Sequence, residues 1–502
     1  MVDTTPDTTT QSAPAPTRSR VRSAIGWSYL LTAGRVGSSI VVTFLLAKLL
    51  GPHEFGLVAM ATVFILIAQT IIQQGLVSAI VQRDKLTPEH LDAAFGVTVL
   101  GGLGVGALTA LLSPVWSLIN GDPDGLTAVC LALSPLVLLQ GLAIVPEAVL
   151  RRELQFRAVA IRTLLAAAIS GILGISLALA GAGIWALVAQ QLATSVVSLI
   201  VLWVVCPWRP SRRPRLGAIR ELWAFSAHSA NAGLGLMLSS KADVIFTGIF
   251  FGTGATGIYR LASRLPDMLV DVTVRSLQQV ALPSLSRLQE DRHAFAVHLT
   301  KLQHLGAIAG LPVLGVLTAT AHPLVGFLGP EWAGTEIPLR LLCLFGAINV
   351  FGVLLGPALQ AIGQPAKLAA ILWTRGILGV ATLAAVGFLL NGRDDVTEAS
   401  AVALAGIGMQ LVVNAISIWV TLRRAIGASI LRFLAPTLPA LLAAGAAALT
   451  PLATDRIGVN HLNPLLGVFV LGATASLIAA TVLLAIDRRA RQLILDRLHR
   501  RP

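Results

Sequence analysis

Apolar residues fall along this chain in long unbroken runs, not in alternation. A helix needs about 20 mostly apolar residues to cross the hydrocarbon core of a bilayer. Fourteen runs approach or exceed that length, at roughly 24–50, 57–81, 93–118, 126–149, 158–180, 184–206, 225–251, 258–283, 305–328, 337–362, 368–390, 398–422, 433–451 and 464–486. Their continuity predicts helices and excludes the alternating strands of a membrane barrel. The expectation is an all-α polytopic membrane protein of about 14 transmembrane helices.

Composition sharpens this picture. Of the 502 residues 55% are hydrophobic and 12% charged, with a mean hydropathy of +0.80. That excludes a disordered chain and leaves too few polar residues to coat a water-soluble enzyme of this length. Residues 1–23, rich in Thr, Pro and Ala and ending in Arg18, Arg20 and Arg22, read as a disordered cytoplasmic tail. A secretory signal does not fit, because the run 24–50 is too long, carries Arg35 and is followed by many more. Cys130, Cys206 and Cys343 each stand alone in an apolar run, so neither a disulfide framework nor a metal site is implied. No cofactor is expected.

The net charge of +13 would suggest nucleic acid in a soluble chain. Here the cations fix topology. With the tail numbered as inside and the segments alternating, inside connections hold 26 Lys and Arg, and outside ones hold Arg393 and Arg456 alone. The asymmetry predicts fourteen spans with both termini in the cytoplasm and no nucleic-acid partner.

A short motif recurs. Leu50-Gly51-Pro52-His53-Glu54-Phe55-Gly56-Leu57 follows the first run, and Phe251-Gly252-Thr253-Gly254-Ala255-Thr256-Gly257-Ile258 follows the seventh. Both outer glycines repeat at an offset of 201. Six spans separate the copies, so the halves run parallel, as in transporters built from two six-helix bundles. The expected organisation is an N-lobe at 24–206, a Pro- and Arg-rich cytoplasmic linker at 207–224, and a C-lobe at 225–422. A further helix pair follows at 433–486, and then a basic cytoplasmic tail at 487–502. The two lobes are expected to be related by a pseudo-twofold axis along the membrane normal.

Nine cations remain in or beside the spans. Arg260, Arg264, Asp267, Asp271 and Arg275 share a stripe about 80° wide on the eighth run, at 100° per residue. Charges in lipid are costly, so the stripe faces protein or water. A paired ladder, Arg264 with Asp267 and Asp271 with Arg275, is the plain structural reading. It leaves Arg260 surplus, which favours a stripe that binds substrate or ions. The first run carries Ser28, Thr32, Arg35, Ser39 and Thr43 on one face, suited to a wet cavity wall; close helix packing explains the hydroxyls but not Arg35. Lys241 and Asp243 lie about 200° apart on their helix and each needs a partner elsewhere. Arg375 lies deep in the eleventh run, while Arg162, Arg340 and Lys48 sit near membrane edges where they can snorkel. Such a cationic interior attracts an anion and repels a drug-like cation. Between two lobes in a bilayer, a lipid-linked phosphate fits that description.

Several segments resemble Wzx-type polysaccharide flippases. They are Gly75-Leu76-Val77-Ser78-Ala79-Ile80-Val81-Gln82-Arg83 with Leu86-Thr87, Leu150-Arg151-Arg152-Glu153-Leu154-Gln155-Phe156-Arg157, and Gly181-Ala182-Gly183-Ile184-Trp185-Ala186-Leu187-Val188. In the second half they are Gly257-Ile258-Tyr259-Arg260-Leu261-Ala262, Leu282-Pro283-Ser284-Leu285-Ser286-Arg287 and Gly329-Pro330-Glu331-Trp332. The resemblance spans about 22–430 and is nearest the colanic-acid-exporter-like branch. It implies the multidrug/oligosaccharidyl-lipid/polysaccharide exporter superfamily, with a MATE- and MurJ-like fold and alternating access. The implied activity is transport, not catalysis: undecaprenyl-diphosphate-linked oligosaccharide moves from the inner to the outer leaflet of the inner membrane for surface polysaccharide or lipopolysaccharide biosynthesis. Cavity cations of that family suggest Arg35, Lys241, Arg264, Arg275 and Arg375 as substrate-binding residues, with Asp267 and Asp271 for ion coupling. The implied partners are the lipid-linked oligosaccharide, membrane lipids and polysaccharide assembly proteins. Two alternatives stand beside this reading. A multidrug antiporter of the same superfamily is disfavoured by the cationic stripes. A membrane glycan polymerase or ligase is disfavoured because every outer loop is about a dozen residues or fewer.

Overall fold

The computed structural model describes residues 37–73, 88–121, 124–153, 155–210, 216–454, 463–487 and 491. Among them there is no strand. The first half comprises α1 (Gly37–Leu49), α2 (Pro52–Gln73), α3 (Pro88–Ile119), α4 (Leu126–Leu133), α5 (Pro135–Arg152), α6 (Phe156–Leu179) and α7 (Ile184–Val205). Then comes the long α8 (Leu216–Val270), a π-helical turn at Asp271–Arg275 and α9 (Ser276–Ser286). The second half continues through α10 (Arg292–Ala319), α11 (Ala321–Leu328), α12 (Glu336–Val350), α13 (Leu355–Ala361), α14 (Pro365–Leu390) and α15 (Asp395–Ile418). A second π segment, Trp419–Ile426, leads to α16 (Ile430–Leu434), α17 (Leu438–Ala448), α18 (Thr450–Thr454) and α19 (Pro464–Ile486).

Twelve stretches of the described residues are long and apolar enough to cross a membrane, against fourteen expected from the sequence. The difference has two sources. The described part of the first run, 37–50, holds only the short helix Gly37–Leu49, and the seventh and eighth runs merge into one 45-residue stretch, Ala242–Ser286. A straight helix of the length of α8 would be about 80 Å long, far more than the ~30 Å hydrocarbon core. The chain breaks it at Gly252, whose φ of 78° and ψ of −165° are not helical; glycine alone adopts such angles at no steric cost. The Tyr259 hydroxyl donates to Asp243 Oδ2 at 2.9 Å, although 16 residues separate the two. Along a straight helix they would stand about 24 Å apart. The two halves of α8 therefore turn back on each other at Gly252, between the two expected runs.

Two other boundaries differ from expectation. α8 begins at Leu216, inside the connection expected at 207–224. α10 begins at Arg292, well before the expected 305, because Asp291 caps it: its Oδ1 accepts the backbone N–H groups of His293 at 2.9 Å and Ala294 at 3.0 Å. Arg292 and Lys301, expected in a loop, ride on a helix.

Apolar packing ties the elements together. One core joins Leu46 and Met60 of α1 and α2 to Leu126, Ile144 and Leu202. A second core uses the neighbouring positions Ala47, Ala59 and Val63, and sets them against Val244, Tyr259 and Leu261 of α8 with Leu339 and Val402. α1 and α2 thus carry one face into each core. Trp332, which is 1% exposed, reinforces the seam by donating its indole N–H to the Ala47 carbonyl at 2.8 Å. The last helices attach through small residues: Ala319, Ala443, Ala447, Ala475 and Ala479 form a buried cluster that lets α10, α17 and α19 approach closely. Large apolar side chains such as Leu111, Phe388, Leu389 and Phe469 point outward, as a lipid solvent requires.

Candidate functional site

Two adjoining cavities lie beside α8. The first, of about 380 Å³, is walled by α1, α2, α6 and α7 on one side and by α8 on the other. Its N-terminal wall is polar but uncharged, with Ser39, Thr43, Thr62, Ser170, Gln190 and Gln191 among apolar residues. Thr62 and Gln191 are paired: the amide Nε2 donates to the hydroxyl at 3.0 Å, and that hydroxyl donates to the Val58 carbonyl at 2.6 Å. The second cavity, of about 270 Å³, lies between α8, α12, α14 and α15. Val244, Arg260 and Arg264 line both.

All five charges of the α8 stripe line the second cavity: Arg260, Arg264, Asp267, Asp271 and Arg275. Their common face survives Pro266 and the π turn that follows. Such turns recur at functional sites because they re-aim side chains within a helix. Asp271 and Arg275 stand at the two ends of this turn and form an ion pair, Oδ1 to Nη1 at 2.8 Å, with both side chains 52% exposed. That pair is one rung of the expected ladder. Arg264 is half-buried and donates from Nη2 to Ser39 Oγ at 3.3 Å, a bond from α8 to α1.

Arg375 of α14 joins the same cavity, as expected for a cation deep in its run. Arg35 lies outside the described residues, as do Ser28, Thr32 and the side chain of Lys241. Ser39 and Thr43, from the same expected face of the first run, do line the first cavity. The three cations read as membrane-edge residues are away from both cavities. Arg162 pairs with Glu147 at 3.1 Å, Arg340 with Glu336 at 2.7 Å, and the Lys48 ammonium sits 4.0 Å from the centre of the Phe327 ring.

The cavity is less one-sided in charge than expected. Four arginines and three aspartates line it, because Asp243 takes a place in the wall. Asp243 accepts from the buried Tyr259 hydroxyl, while its Oδ1 is buried with no hydrogen-bond partner among the described residues. Arg375 Nε is in the same condition. Buried polar atoms in native proteins are ordinarily satisfied, so this wall has hydrogen-bonding capacity beyond what its own residues use. Tyr259 was missed in the sequence, although the chain has two tyrosines in all and this one directly follows the repeated motif.

The arrangement sets guanidinium groups, which offer two parallel donors to an oxyanion, beside a neutral wall of hydroxyls and amides. The chain is similar to known proteins in sequence and in fold. A family model described as polysaccharide biosynthesis protein matches residues 45–336. The succinoglycan biosynthesis transport protein ExoT of Rhizobium meliloti (strain 1021) is 27% identical over 369 residues, covering 72% of this chain and 73% of that one. The lipopolysaccharide biosynthesis protein WzxC of Escherichia coli (strain K12) is 23% identical over 361 residues, covering 68% and 70%. In fold, the chain is similar to the lipid II flippase MurJ in its inward closed conformation. The TM-score is 0.69 at 15% identity, over 94% of this chain and 99% of that one.

Proposed function

The chain belongs to the polysaccharide biosynthesis protein family, and from that premise we propose that it is a flippase for a lipid-linked oligosaccharide. It carries undecaprenyl-diphosphate-linked oligosaccharide from the inner to the outer leaflet of the inner (plasma) membrane, by alternating access of two lobes. The glycan then enters surface polysaccharide biosynthesis, with polysaccharide assembly proteins as partners. Both termini face the cytoplasm in this reading, which the distribution of Lys and Arg between the connections supports.

The observation that carries this reading is the position of Arg264. It lines both cavities and reaches Ser39 on the other side of the seam. Arg264, Arg275 and Arg375 hold the diphosphate in this reading, joined by Lys241 and Arg35. The uncharged wall around Thr62, Gln190 and Gln191 receives sugar hydroxyls, which need donors and acceptors but no charge. Asp267 and Asp271 serve ion coupling. Asp271 competes with phosphate for the Arg275 guanidinium, so a proton or sodium ion on Asp271 frees that guanidinium for substrate.

The three aspartates of the wall favour a second reading, a drug–cation antiporter. Deletion of the gene in its host separates the two. The flippase reading expects lipid-linked oligosaccharide to accumulate on the inner leaflet and surface polysaccharide to fall. Unchanged lipid-linked pools, together with new sensitivity to cationic drugs, would replace it with the antiporter.

A further inference from the structure

A third concavity lies where α10, the end of the Trp419–Ile426 segment and α16 converge. Its volume is about 500 Å³, within the ~300–1,000 Å³ typical of small-molecule sites. Three cations from two elements face it: Arg292 and Lys301 of α10 and Arg432 of α16, with His293 beside them. Among the described residues no carboxylate lines it. Asp291, the nearest acid in sequence to Arg292, is engaged by backbone N–H groups of α10. None of the three cations is in an ion pair among the described residues, and all three are exposed. The rest of the lining includes Val297, Leu422, Ile426 and Phe433, so the cations rim an apolar floor.

The surroundings place this concavity at the edge of the lipid. Leu431, next to Arg432, is 79% exposed, and Trp419 is 44% exposed with the Arg424 guanidinium 4.3 Å from its ring centre. Exposed Trp and Arg side by side mark the headgroup level of a bilayer. Like charges gathered in one hollow repel one another, and the counter-ions available at that level are lipid phosphates. An apolar floor under a cationic rim suits the start of an acyl chain beneath a phosphodiester.

From this convergence of three unpaired cations over an apolar floor, we propose that Arg292, Lys301 and Arg432 form a binding site for the phosphate headgroup of an anionic membrane lipid. Its occupant bridges α10 to α16 and so ties the last helix pair to the body of the protein. No residue of the site lines either central cavity, so the proposal stands or falls independently of the flippase reading.

The test uses the purified full chain in detergent, stripped of lipid and titrated with phosphatidylglycerol, phosphatidylcholine or inorganic phosphate, with bound lipid read by native mass spectrometry. Phosphatidylglycerol should bind the parent. It should bind the combined variant Arg292→Gln, Lys301→Gln, Arg432→Gln at least about tenfold more weakly, a loss of ~1.4 kcal/mol or more. The charge-keeping variant Arg292→Lys, Arg432→Lys should stay within about threefold of the parent. Equal binding by parent and neutralised variant overturns the site. Inorganic phosphate that displaces the lipid, or binds as tightly, overturns the lipid as its source. Should the neutralised variant fail to fold, the parent decides: photoactivatable phosphatidylglycerol must label 292–301 or 422–436, and labelling confined to other segments overturns the proposal.

Discussion

Gly56 and Gly257 lie against each other where α2 crosses the second half of α8, and the contact is reciprocal. A Cβ on Gly56 would run into the carbonyl oxygen of Thr253, and one on Gly257 into that of Pro52. Thr253 is Pro52 displaced by 201 positions, and Gly257 is Gly56 displaced by the same 201. Each contact is the other with the two copies exchanged, as a local twofold relation demands. The recurrence of glycine thus has a physical cause: each copy receives the backbone of the other.

That reciprocity makes a quantitative prediction. Gly56→Ala and Gly257→Ala each push a methyl group into backbone, which no rotamer can relieve. Each should lower stability by about 1–3 kcal/mol, the usual cost of overpacking. Once one substitution has separated the helices, the second meets an interface already open. The double variant should therefore lose clearly less than the sum of the singles. Thermal unfolding in detergent reads all three, and strict additivity would show that the two contacts are not one interface.

The Tyr259 hydroxyl holds the two halves of α8 together through Asp243. Tyr259→Phe leaves a buried carboxylate without its donor and should cost about 1–3 kcal/mol. Removing both partners costs less than orphaning one. Adding Asp243→Leu to Tyr259→Phe should therefore recover part of the loss in thermal stability, whatever it does to transport. A double variant less stable than Tyr259→Phe would mean that Asp243 has a further structural partner.

Sidedness follows from the cation count and is checked by cysteine labelling with a membrane-impermeant reagent. By the sequence partition Asp124 and Arg393 belong to outer connections and Arg292 and Arg423 to inner ones, and all four are exposed. Cysteines at the first two should react in intact cells, and those at the second two only after the membrane is opened. Asn120 and Gly254, though in outer connections by sequence, suit this poorly. Asn120 is buried, and any side chain at Gly254 meets the carboxylate of Asp395.

The spans were legible because about twenty apolar residues in a row have few other uses. The cavity was legible in part, because five charges at helical spacing in lipid must face inward together. The partners of those charges were not. Periodicity reports which residues share a face of one helix, and Ser39 lies 225 positions from Arg264. Asp243 was visible as a residue in need of a partner. The turn between the seventh and eighth runs was legible, but nothing local revealed that it brings Tyr259 to Asp243, so the cavity read as more cationic than it is.

Arg264 gives the sharpest test of the transport reading. Its guanidinium stands at the junction of the two cavities and donates to Ser39 Oγ at a long 3.3 Å. A single long bond to an uncharged hydroxyl contributes little, so Ser39→Ala should leave transport within a few-fold of the parent. A guanidinium on a diphosphate contributes more, because hydrogen bonds to charged groups are worth about 1.5–3 kcal/mol. Arg264→Ala should therefore reduce transport by roughly tenfold or more. Arg264→Lys should fall between, since an ammonium keeps the charge but loses the paired donors. Protein levels must be matched, because removing one member of a buried charge network can cost ~3–5 kcal/mol and mimic lost function. The exchange Arg264→Asp with Asp267→Arg keeps the charge count of the stripe and moves the cation one helical turn. If the stripe is a structural ladder, transport survives that exchange at normal protein levels. If Arg264 holds substrate, as proposed here, the exchanged protein folds and inserts but does not deliver lipid-linked oligosaccharide to the outer leaflet.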